Sequence, residues 1–180
     1  MLVLMAGLPA TGKSTLARAL AERCAGVVLD KDIVRSTLFP PAYVEYSADQ
    51  DDFCVSLMRQ TADYLFARHP DLFVFLDGRT FSRRYQIENA IQGATWRIIE
   101  CVCAEQTAKA RLAADREHPA RNRDFDLYLR VRDQFEPIAL PKLVVDTDLP
   151  LQNCVDSAYR YLTRPSLTPR CRGPHFPPHP

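Results

Sequence analysis

Short runs of apolar residues alternate along the chain with longer segments in which apolar residues recur at helical spacing. The short runs predict five β-strands, at residues 2–6, 27–29, 72–76, 96–103 and 143–145. The longer segments predict helices at residues 14–24, 84–91, 105–117, 124–135 and 151–162, and a helix of about twenty residues that begins at Ser47. In that last helix the apolar positions are expected to form one stripe, made of Phe53, Leu57, Ala62, Leu65 and Phe66. Because parallel neighbouring strands need crossover connections, the alternation predicts an α/β fold with a parallel sheet covered by helices on both faces.

Polar residues follow the predicted strands at the points where the strands end. Gly7 comes after the first strand, Asp30 and Asp32 after the second, Asp77 after the third and Asp146 after the fifth. In open parallel sheets, ligands bind beyond the carboxyl ends of the strands. We therefore expect the functional site at this edge of the sheet.

The segment between the first strand and the first helix reads Gly-Leu-Pro-Ala-Thr-Gly-Lys-Ser and matches the P-loop pattern G-x-x-x-x-G-K-[ST] completely. Gly7 and Gly12 permit the turns that aim backbone N–H groups inward, and the following helix adds its N-terminal dipole. Lys13 can reach the β- and γ-phosphates, and the Ser14 hydroxyl can bind Mg²⁺. The predicted phosphate-binding residues are Gly7, Leu8, Pro9, Ala10, Thr11, Gly12, Lys13, Ser14 and Thr15. Since no NKxD segment for reading guanine occurs, ATP is the expected nucleotide.

Three further polar residues are candidates for chemistry next to the P-loop. Asp77 ends an apolar strand, and in P-loop enzymes such an aspartate holds Mg²⁺, usually through water. Asp32 and Arg35 lie three residues apart and project from one face of a helix, where the carboxylate can take a proton from a hydroxyl and the guanidinium can hold an acceptor or a phosphate. The alternative is an ordinary helix start, with Asp30 or Asp32 as the N-cap and Arg35 in solvent.

A segment rich in arginine follows the fourth strand and contains Arg111, Arg116, Arg121 and Arg123. Phosphoryl transfer needs cations against the γ-phosphate, ideally on a flap that also excludes water, so this segment predicts a lid. Arg116, then Arg123, are the first choices for contacts with the nucleotide. Arg111 is expected to contact the adenine side of the nucleotide or to form an ion pair with an acidic residue. Part of this segment could instead be a solvated helical face balanced by neighbouring acids.

Taken together, the P-loop with Thr15, Asp32-x-x-Arg35, the segment Leu-Asp-Gly-Arg-Thr at 76–80, the arginine segment, and residues 135–137 and 145–147 resemble the AAA-domain P-loop kinase family. That family is similar to the kinase domain of polynucleotide kinases, to chloramphenicol phosphotransferases and to zeta toxins. The resemblance covers residues 1–162. It implies a P-loop NTPase three-layer sandwich with strand order 2-3-1-4-5, Asp32 as general base, Arg35 as a contact for the acceptor or phosphate, and Arg116 as the lid arginine. Arg79 stands where relatives vary, and would contact the substrate or cap the loop.

Composition bounds the remaining choices. The 180-residue chain is 47% hydrophobic and 25% charged with a formal net charge of +1, which is typical of one globular domain, placed at residues 1–163. Six of its fourteen prolines fall in residues 164–180, which predicts a disordered or extended tail. Binding of a protein partner is an alternative role for this tail. No apolar run approaches the roughly 20 residues of a membrane-spanning helix. Six cysteines without CxxC or metal-ligand spacing predict reduced, non-catalytic thiols in a cytoplasmic protein, which we expect to be a monomer.

The predicted reaction is transfer of the ATP γ-phosphoryl group to a hydroxyl of a small-molecule acceptor, with ATP and Mg²⁺ as cofactors. Phe39, Tyr43, Tyr46 and Phe81 are candidates for the wall of the acceptor pocket. A polynucleotide 5′-hydroxyl kinase is an alternative, but it needs a positive channel, and the near-neutral charge argues against it. A second alternative is an ATP-hydrolysing switch that acts through a protein partner.

Overall fold

The computed structural model describes residues 1–114 and 124–164. The five strands are β1 (Leu2–Ala6), β2 (Val27–Asp30), β3 (Val74–Asp77), β4 (Trp96–Val102) and β5 (Leu143–Asp146). The helices are α1 (Lys13–Cys24), α2 (Lys31–Leu38), α3 (Ala48–Arg68), α4 (Arg84–Ile91), α5 (Glu105–Ala114), α6 (Phe125–Asp133) and α7 (Leu151–Thr163), with a 3₁₀ turn at Pro41–Tyr43. The bounds of β1 are those predicted from the sequence, and those of the other strands differ from the prediction by one or two residues. Arg116, Arg121, Arg123 and the tail beyond Arg164 lie outside the described residues.

The sheet has the order β2-β3-β1-β4-β5, and every neighbouring pair is parallel. This confirms the predicted five-stranded P-loop architecture. In the pairing of β2 with β3, Asp30 lies opposite Asp77, so two carboxylates meet at the carboxyl end of the sheet. The topology thus delivers the polar strand ends of the sequence to one edge, as the pattern predicts.

The central strand β1 reads as a continuous apolar run because helices cover both of its faces. Val3 and Met5 pack in one core cluster with residues of α1 and α7. Leu2 and Leu4 pack in a second cluster with residues of α3 and α4. Each fully buried leucine of this kind stabilises the fold by about 1.5–3 kcal/mol relative to an exposed one. The two clusters fix the sheet rigidly behind the polar edge.

The apolar stripe predicted for α3 is wrong in part. Phe53 is 50% exposed and its ring packs edge-to-face against Phe39, with 6.0 Å between the ring centroids. The positions that α3 buries are Gln50, Cys54, Val55, Met58 and Ala62. Of the predicted stripe, Ala62 is buried, and Leu57, Leu65 and Phe66 are half-buried. Phe53 lies beside this buried face rather than in it, and its ring contacts Phe39 at the end of α2.

Among the described residues, no helix is both long enough and apolar enough to cross a bilayer.

Candidate active site

A cleft of about 980 Å³ opens at the carboxyl end of the sheet. The P-loop forms one wall, α2 with the start of α3 forms a second, and residues after β3 and β5 close the sides. Among the predicted site residues, those that line this cleft are Pro9, Ala10, Gly12, Lys13, Ser14, Thr15, Asp32 and Arg35. The structure therefore brings the predicted phosphate grip and the predicted base into one cavity. Arg116 and Arg123 are outside the described residues.

The P-loop geometry depends on glycine at two positions. Gly7 has a φ of 128°, and a Cβ there would stand 2.3 Å from the carbonyl oxygen of Cys101. Gly12 has a φ of 79° and is the N-cap of α1, in the left-handed region. These two positions let the loop curl tightly between β1 and α1, so that the backbone and the helix N-terminus face the cleft.

Lys13 is buried at the first position of α1, and its ammonium lies against the loop. Its Nζ donates to the carbonyl oxygens of Gly7 at 2.9 Å and Leu8 at 2.6 Å. Ser14 follows at the second position of α1 and lines the cleft. The Lys13 ammonium therefore lies within reach of a phosphate group bound in the loop.

Asp77 is buried at the end of β3, with 1% of its surface exposed. In the described part of the chain neither of its carboxylate oxygens has a hydrogen-bond partner. A buried carboxylate without partners is costly, so the site fits a cation or an ordered water. Burial and the charge of Asp77 raise the pKa of its neighbour Asp30. Asp77 is not among the residues that line the cleft.

Magnesium prefers few protein ligands and keeps several waters. The Ser14 hydroxyl and the orphaned carboxylate of Asp77 fit that requirement. Within residues 1–114 and 124–164, no group of three or more His, Cys, Asp or Glu side chains could hold a metal ion by itself. The donor set therefore suits a metal that is bound mainly through a nucleotide's phosphates.

The start of α2 separates the roles of its two aspartates. Asp30 is the N-cap, because its Oδ1 accepts from the backbone N–H of Asp32 at 2.8 Å and of Ile33 at 3.4 Å. Asp32 is thereby left for the cleft. Arg35 is 3% exposed, and its Nη1 donates to Asp32 Oδ1 at 3.1 Å. The alternative with Arg35 in solvent is wrong, since the guanidinium is buried against that carboxylate.

Asp32 and Arg35 belong to a larger charge cluster, formed by Lys31, Asp32, Arg35, Asp51, Asp52 and Arg79. Lys31 Nζ lies 3.2 Å from Asp32 Oδ1 and 2.9 Å from Asp51 Oδ1. Burial lowers the pKa of Lys31 to about 8, although the charge of Asp32 acts in the opposite direction. The predicted base is therefore held by two cations from its own helix.

The Arg79 side chain is buried and lines the cleft. Its Nη2 lies 2.6 Å from Asp52 Oδ1, and its Nη1 lies 3.5 Å from Asp51 Oδ2. Burial lowers its pKa, against the charge of Asp52. The sequence missed Asp51 and Asp52 as partners, because only the packing of α3 against α2 reveals them. The sole local signal was the run of acids in the first turn of α3.

The predicted aromatic wall is corrected at three of its four positions. Tyr46 lines the cleft, and the Arg35 guanidinium lies 5.2 Å from its ring centroid. Phe81 belongs to the hydrophobic core, with 1% exposure. Tyr43 is exposed, and Phe39 packs on α3 instead. The bulk of an aromatic ring favours burial in general, so composition could not separate wall from core.

Arg111 fastens the P-loop to the residue that follows β5. Its Nη1 donates to the carbonyl oxygen of Ala10 at 3.3 Å and to the hydroxyl of Thr147 at 3.0 Å, and its Nη2 donates to the carbonyl oxygen of Thr147 at 2.8 Å. The Thr147 hydroxyl also donates to Thr11 O, 3.0 Å away. Arg111 thus holds the rim of the cleft at the end away from Asp32.

Burial raises the pKa of all five cysteines in the described part of the chain, and that of Cys101 to about 12. Such thiols stay protonated at neutral pH and are poor nucleophiles. Their properties agree with the structural role that the sequence predicted. Cys171 lies outside the described residues.

The parallel sheet, the P-loop and the cleft define a P-loop nucleotide-binding protein with the kinase type of fold. A family profile described as "AAA domain" matches residues 2–138. The chain therefore belongs to this AAA domain family, as the sequence motifs indicated. A comparison with curated proteins gave no match.

Solved structures of P-loop kinases share this fold. A candidate kinase of Chloroflexus aurantiacus j-10-fl is 23% identical, with a TM-score of 0.68 over 90% of this chain and 98% of that one. The APS kinase of Mycobacterium tuberculosis, in complex with AMPPNP and APS, is 17% identical, with a TM-score of 0.67 over 89% and 96%. A gluconokinase of Sinorhizobium meliloti 1021 is 18% identical, with a TM-score of 0.65 over 91% of each chain. At these identities the likeness establishes the fold.

Proposed function

We propose that this protein is a magnesium-dependent kinase that transfers the γ-phosphoryl group of ATP to a hydroxyl group of a small-molecule acceptor. The observation that carries the proposal is the shared cleft, in which Lys13 and Ser14 of the P-loop face the buried pair Asp32 and Arg35. The family and the fold support it, since relatives of the same fold include a gluconokinase and an APS kinase.

The phosphate end of the cleft binds ATP. The backbone of residues 7–14 and the N-terminus of α1 surround the phosphates, and Lys13 exchanges the carbonyls of Gly7 and Leu8 for the β- and γ-phosphate oxygens. Ser14 would hold Mg²⁺, with Asp77 acting through water, and the ion would supply charge neutralisation at the phosphates. Arg116, followed by Arg123, is the proposed source of a lid cation.

The other end of the cleft, lined by Lys31, Asp32, Arg35, Tyr46, Asp51 and Arg79, is the acceptor end. There Asp32 orients the acceptor hydroxyl and takes its proton, while the hydroxyl oxygen forms a bond to the γ-phosphorus and the bond to ADP breaks. Arg35 and Lys31 keep the Asp32 carboxylate in place through their ion pairs with its Oδ1. The products are ADP, a phosphate monoester and a proton.

The test is acceptor-dependent release of ADP, screened over alcohols, sugars, nucleosides, aminoglycoside and chloramphenicol-type antibiotics and 5′-hydroxyl oligonucleotides. Asp32→Asn should lower the acceptor-dependent rate by about 10²–10⁴-fold, the usual contribution of a positioned acid or base. Asp49→Asn, an exposed acid in the first turn of α3, is the matched control and should leave the rate unchanged.

A slow release of ADP that no acceptor accelerates, and that Asp32→Asn does not alter, would contradict the kinase and favour an ATP-dependent switch. Acceleration by oligonucleotides alone would contradict a small-molecule acceptor. Thermal unfolding of each variant separates a lost reaction from a lost fold.

A further inference from the structure

The charge cluster carries information about the acceptor itself. We infer that the acceptor end is built to be electrically neutral, with Asp51 as the residue that makes it so, and that it selects an uncharged polyhydroxylated acceptor over an anionic one. This inference rests on the proposed kinase function and concerns the same cleft.

Asp51 contacts every cation of the cluster. Its Oδ1 accepts from Lys31 Nζ at 2.9 Å, it forms an ion pair with Arg35, and its Oδ2 lies 3.5 Å from Arg79 Nη1. One carboxylate of α3 therefore occupies the place at which two cations of α2 and one from the segment after β3 converge. The Asp51 carboxylate thus occupies the position that an anionic group of an acceptor would need in order to contact these cations.

The remaining carboxylates complete the balance. Asp32 pairs with Lys31 and Arg35, and Asp52 pairs with Arg79 at 2.6 Å. The Tyr85 hydroxyl donates to Asp52 at 3.1 Å and so helps to fix that carboxylate. Within the described residues, three cations of the cluster thus meet three carboxylates.

The energetics of this balance disfavour an anion. Lys31, Asp32, Arg35 and Arg79 are all buried, where charges interact more strongly than in water and an unpaired charge is costly. An incoming carboxylate, phosphate or sulfate would lose its hydration and gain no unpaired cation, and it would lie beside Asp32 and Asp51. A neutral hydroxylated molecule meets neither cost.

The cluster offers hydrogen bonds rather than charge. Among the described residues, Nε of Arg35 and both Nε and Nη1 of Arg79 have no hydrogen-bond acceptor. Uncharged hydroxyl or carbonyl oxygens satisfy such N–H groups without adding charge, once small side-chain shifts bring the groups together. The ring of Tyr46, beside Arg35, adds an apolar surface of the kind that covers the carbon face of a sugar or a nucleoside base.

The first test uses the unaltered full chain with matched pairs of acceptors: glycerol against glycerate, glucose against gluconate, and adenosine against adenosine 3′-monophosphate. Acceptor-dependent ADP release should give kcat/KM values for the neutral member that are about tenfold or more above those of the anionic member, because a desolvated like-charge contact costs at least that much. A preference for the anionic members would overturn the inference and leave the kinase standing.

The second test changes the charge balance of the cluster by substitution of Asp51. Asp51→Asn leaves the cluster with three cations and two carboxylates, so the preference for neutral acceptors should fall by about tenfold or invert. The double variant Asp51→Asn, Arg79→Gln restores neutrality and should restore the preference, whereas Asp49→Asn should change nothing. A preference in Asp51→Asn equal to that of the unaltered protein would contradict the role of Asp51.

A binding measurement keeps the inference testable if none of these acceptors is used. With the P-loop saturated by magnesium and AMPPNP, inorganic sulfate should raise the melting temperature of Asp51→Asn more than that of the unaltered protein or of Asp49→Asn, since exclusion of sulfate from the surface stabilises all three alike. An equal rise in the unaltered protein and in a folded Asp51→Asn variant would overturn the neutral site. Absence of turnover with every acceptor, together with the expected sulfate result, would instead contradict the proposed kinase alone.

Discussion

The two ends of the cleft are built in different ways. At the proposed phosphate end, the cleft is lined by one short segment, which contributes Pro9, Ala10, Gly12, Lys13, Ser14 and Thr15 at the start of one helix. At the acceptor end, the surface is made of side chains from α2, from the first turn of α3 and from the segment after β3. The first end depends on local conformation, and the second depends on how distant parts of the chain pack.

This difference has a chemical consequence. A backbone cradle recognises what all nucleotides share, the phosphate chain, and tolerates little change in its own shape. A side-chain cluster can be altered one charge at a time, so it is the end at which a family can acquire new acceptors. The predictions below test whether shape controls one end and charge the other.

The largest effect is expected at Gly7. In Gly7→Ala the new Cβ would lie 2.3 Å from the carbonyl oxygen of Cys101 at a φ of 128°, so the P-loop must shift. We expect a loss of about 2–5 kcal/mol in the free energy of unfolding and a loss of ATP binding, measured by urea unfolding and by nucleotide titration.

Gly93→Ala is the matched control for Gly7→Ala. Gly93 also has a positive φ, 72°, but a Cβ there meets nothing within 4 Å. Gly93→Ala should lower the free energy of unfolding by about 1 kcal/mol and leave the affinity for ATP unchanged. Equal losses in the two variants would show that backbone conformation alone, and not the close approach to β4, limits this position.

The second effect concerns pH at the acceptor end. Because burial lowers the pKa of Lys31 from 10.5 to about 8, the folded protein binds its proton less tightly than the unfolded chain. The resulting destabilisation is complete below pH 8 and is relieved as the pH rises from about 8 towards 10.5. An arginine at this position keeps its charge over that range, so the unaltered protein should gain on the order of 2–3 kcal/mol relative to Lys31→Arg.

Urea unfolding of the two proteins at pH 7.5 and pH 10 measures that gain. A difference in unfolding free energy that is the same at both pH values would contradict a depressed Lys31 pKa. Other titrating groups are common to both proteins and cancel in the comparison.

The smallest effect is expected at Arg111, which ties the P-loop to Thr147 from outside the phosphate cradle. Arg111→Met removes the donors to Ala10 and Thr147, and we expect a loss of about 1–2 kcal/mol in stability with a rise of about three- to tenfold in the KM for ATP. Arg84→Met, which breaks an exposed pair with Glu88, should leave both the stability and the KM nearly unchanged, because solvent screens such a pair. Equal effects of the two changes on stability and on the KM for ATP would contradict the role of Arg111 in holding the P-loop.

The fold and the phosphate end could be predicted from the sequence because their signals are local. The apolar run of β1, the glycine spacing of the P-loop and the Asp-x-x-Arg spacing of α2 each lie within a few residues. The strand order came from resemblance to a family, and the structure confirms it.

The charge partners could not be predicted, because Lys31 and Asp51 meet only through the packing of α2 on α3. The same limit explains the errors on aromatic residues. Phe81 and Tyr46 carry equal apolar bulk in the sequence, yet one enters the core and the other lines the cleft. Nothing in the local pattern of either residue distinguishes these outcomes.

The central claim is that the two ends of the cleft act in one reaction, and transfer of phosphate to an acceptor tests it most directly. Mass spectrometry of the acceptor, paired with ATP titration, should show that Asp32→Asn keeps its affinity for ATP but loses about 10²–10⁴-fold of the transfer rate. Lys13→Met should lose both affinity and transfer. An Asp32→Asn variant that phosphorylates the acceptor at the unaltered rate, or ADP formation without any phosphorylated acceptor, would contradict it.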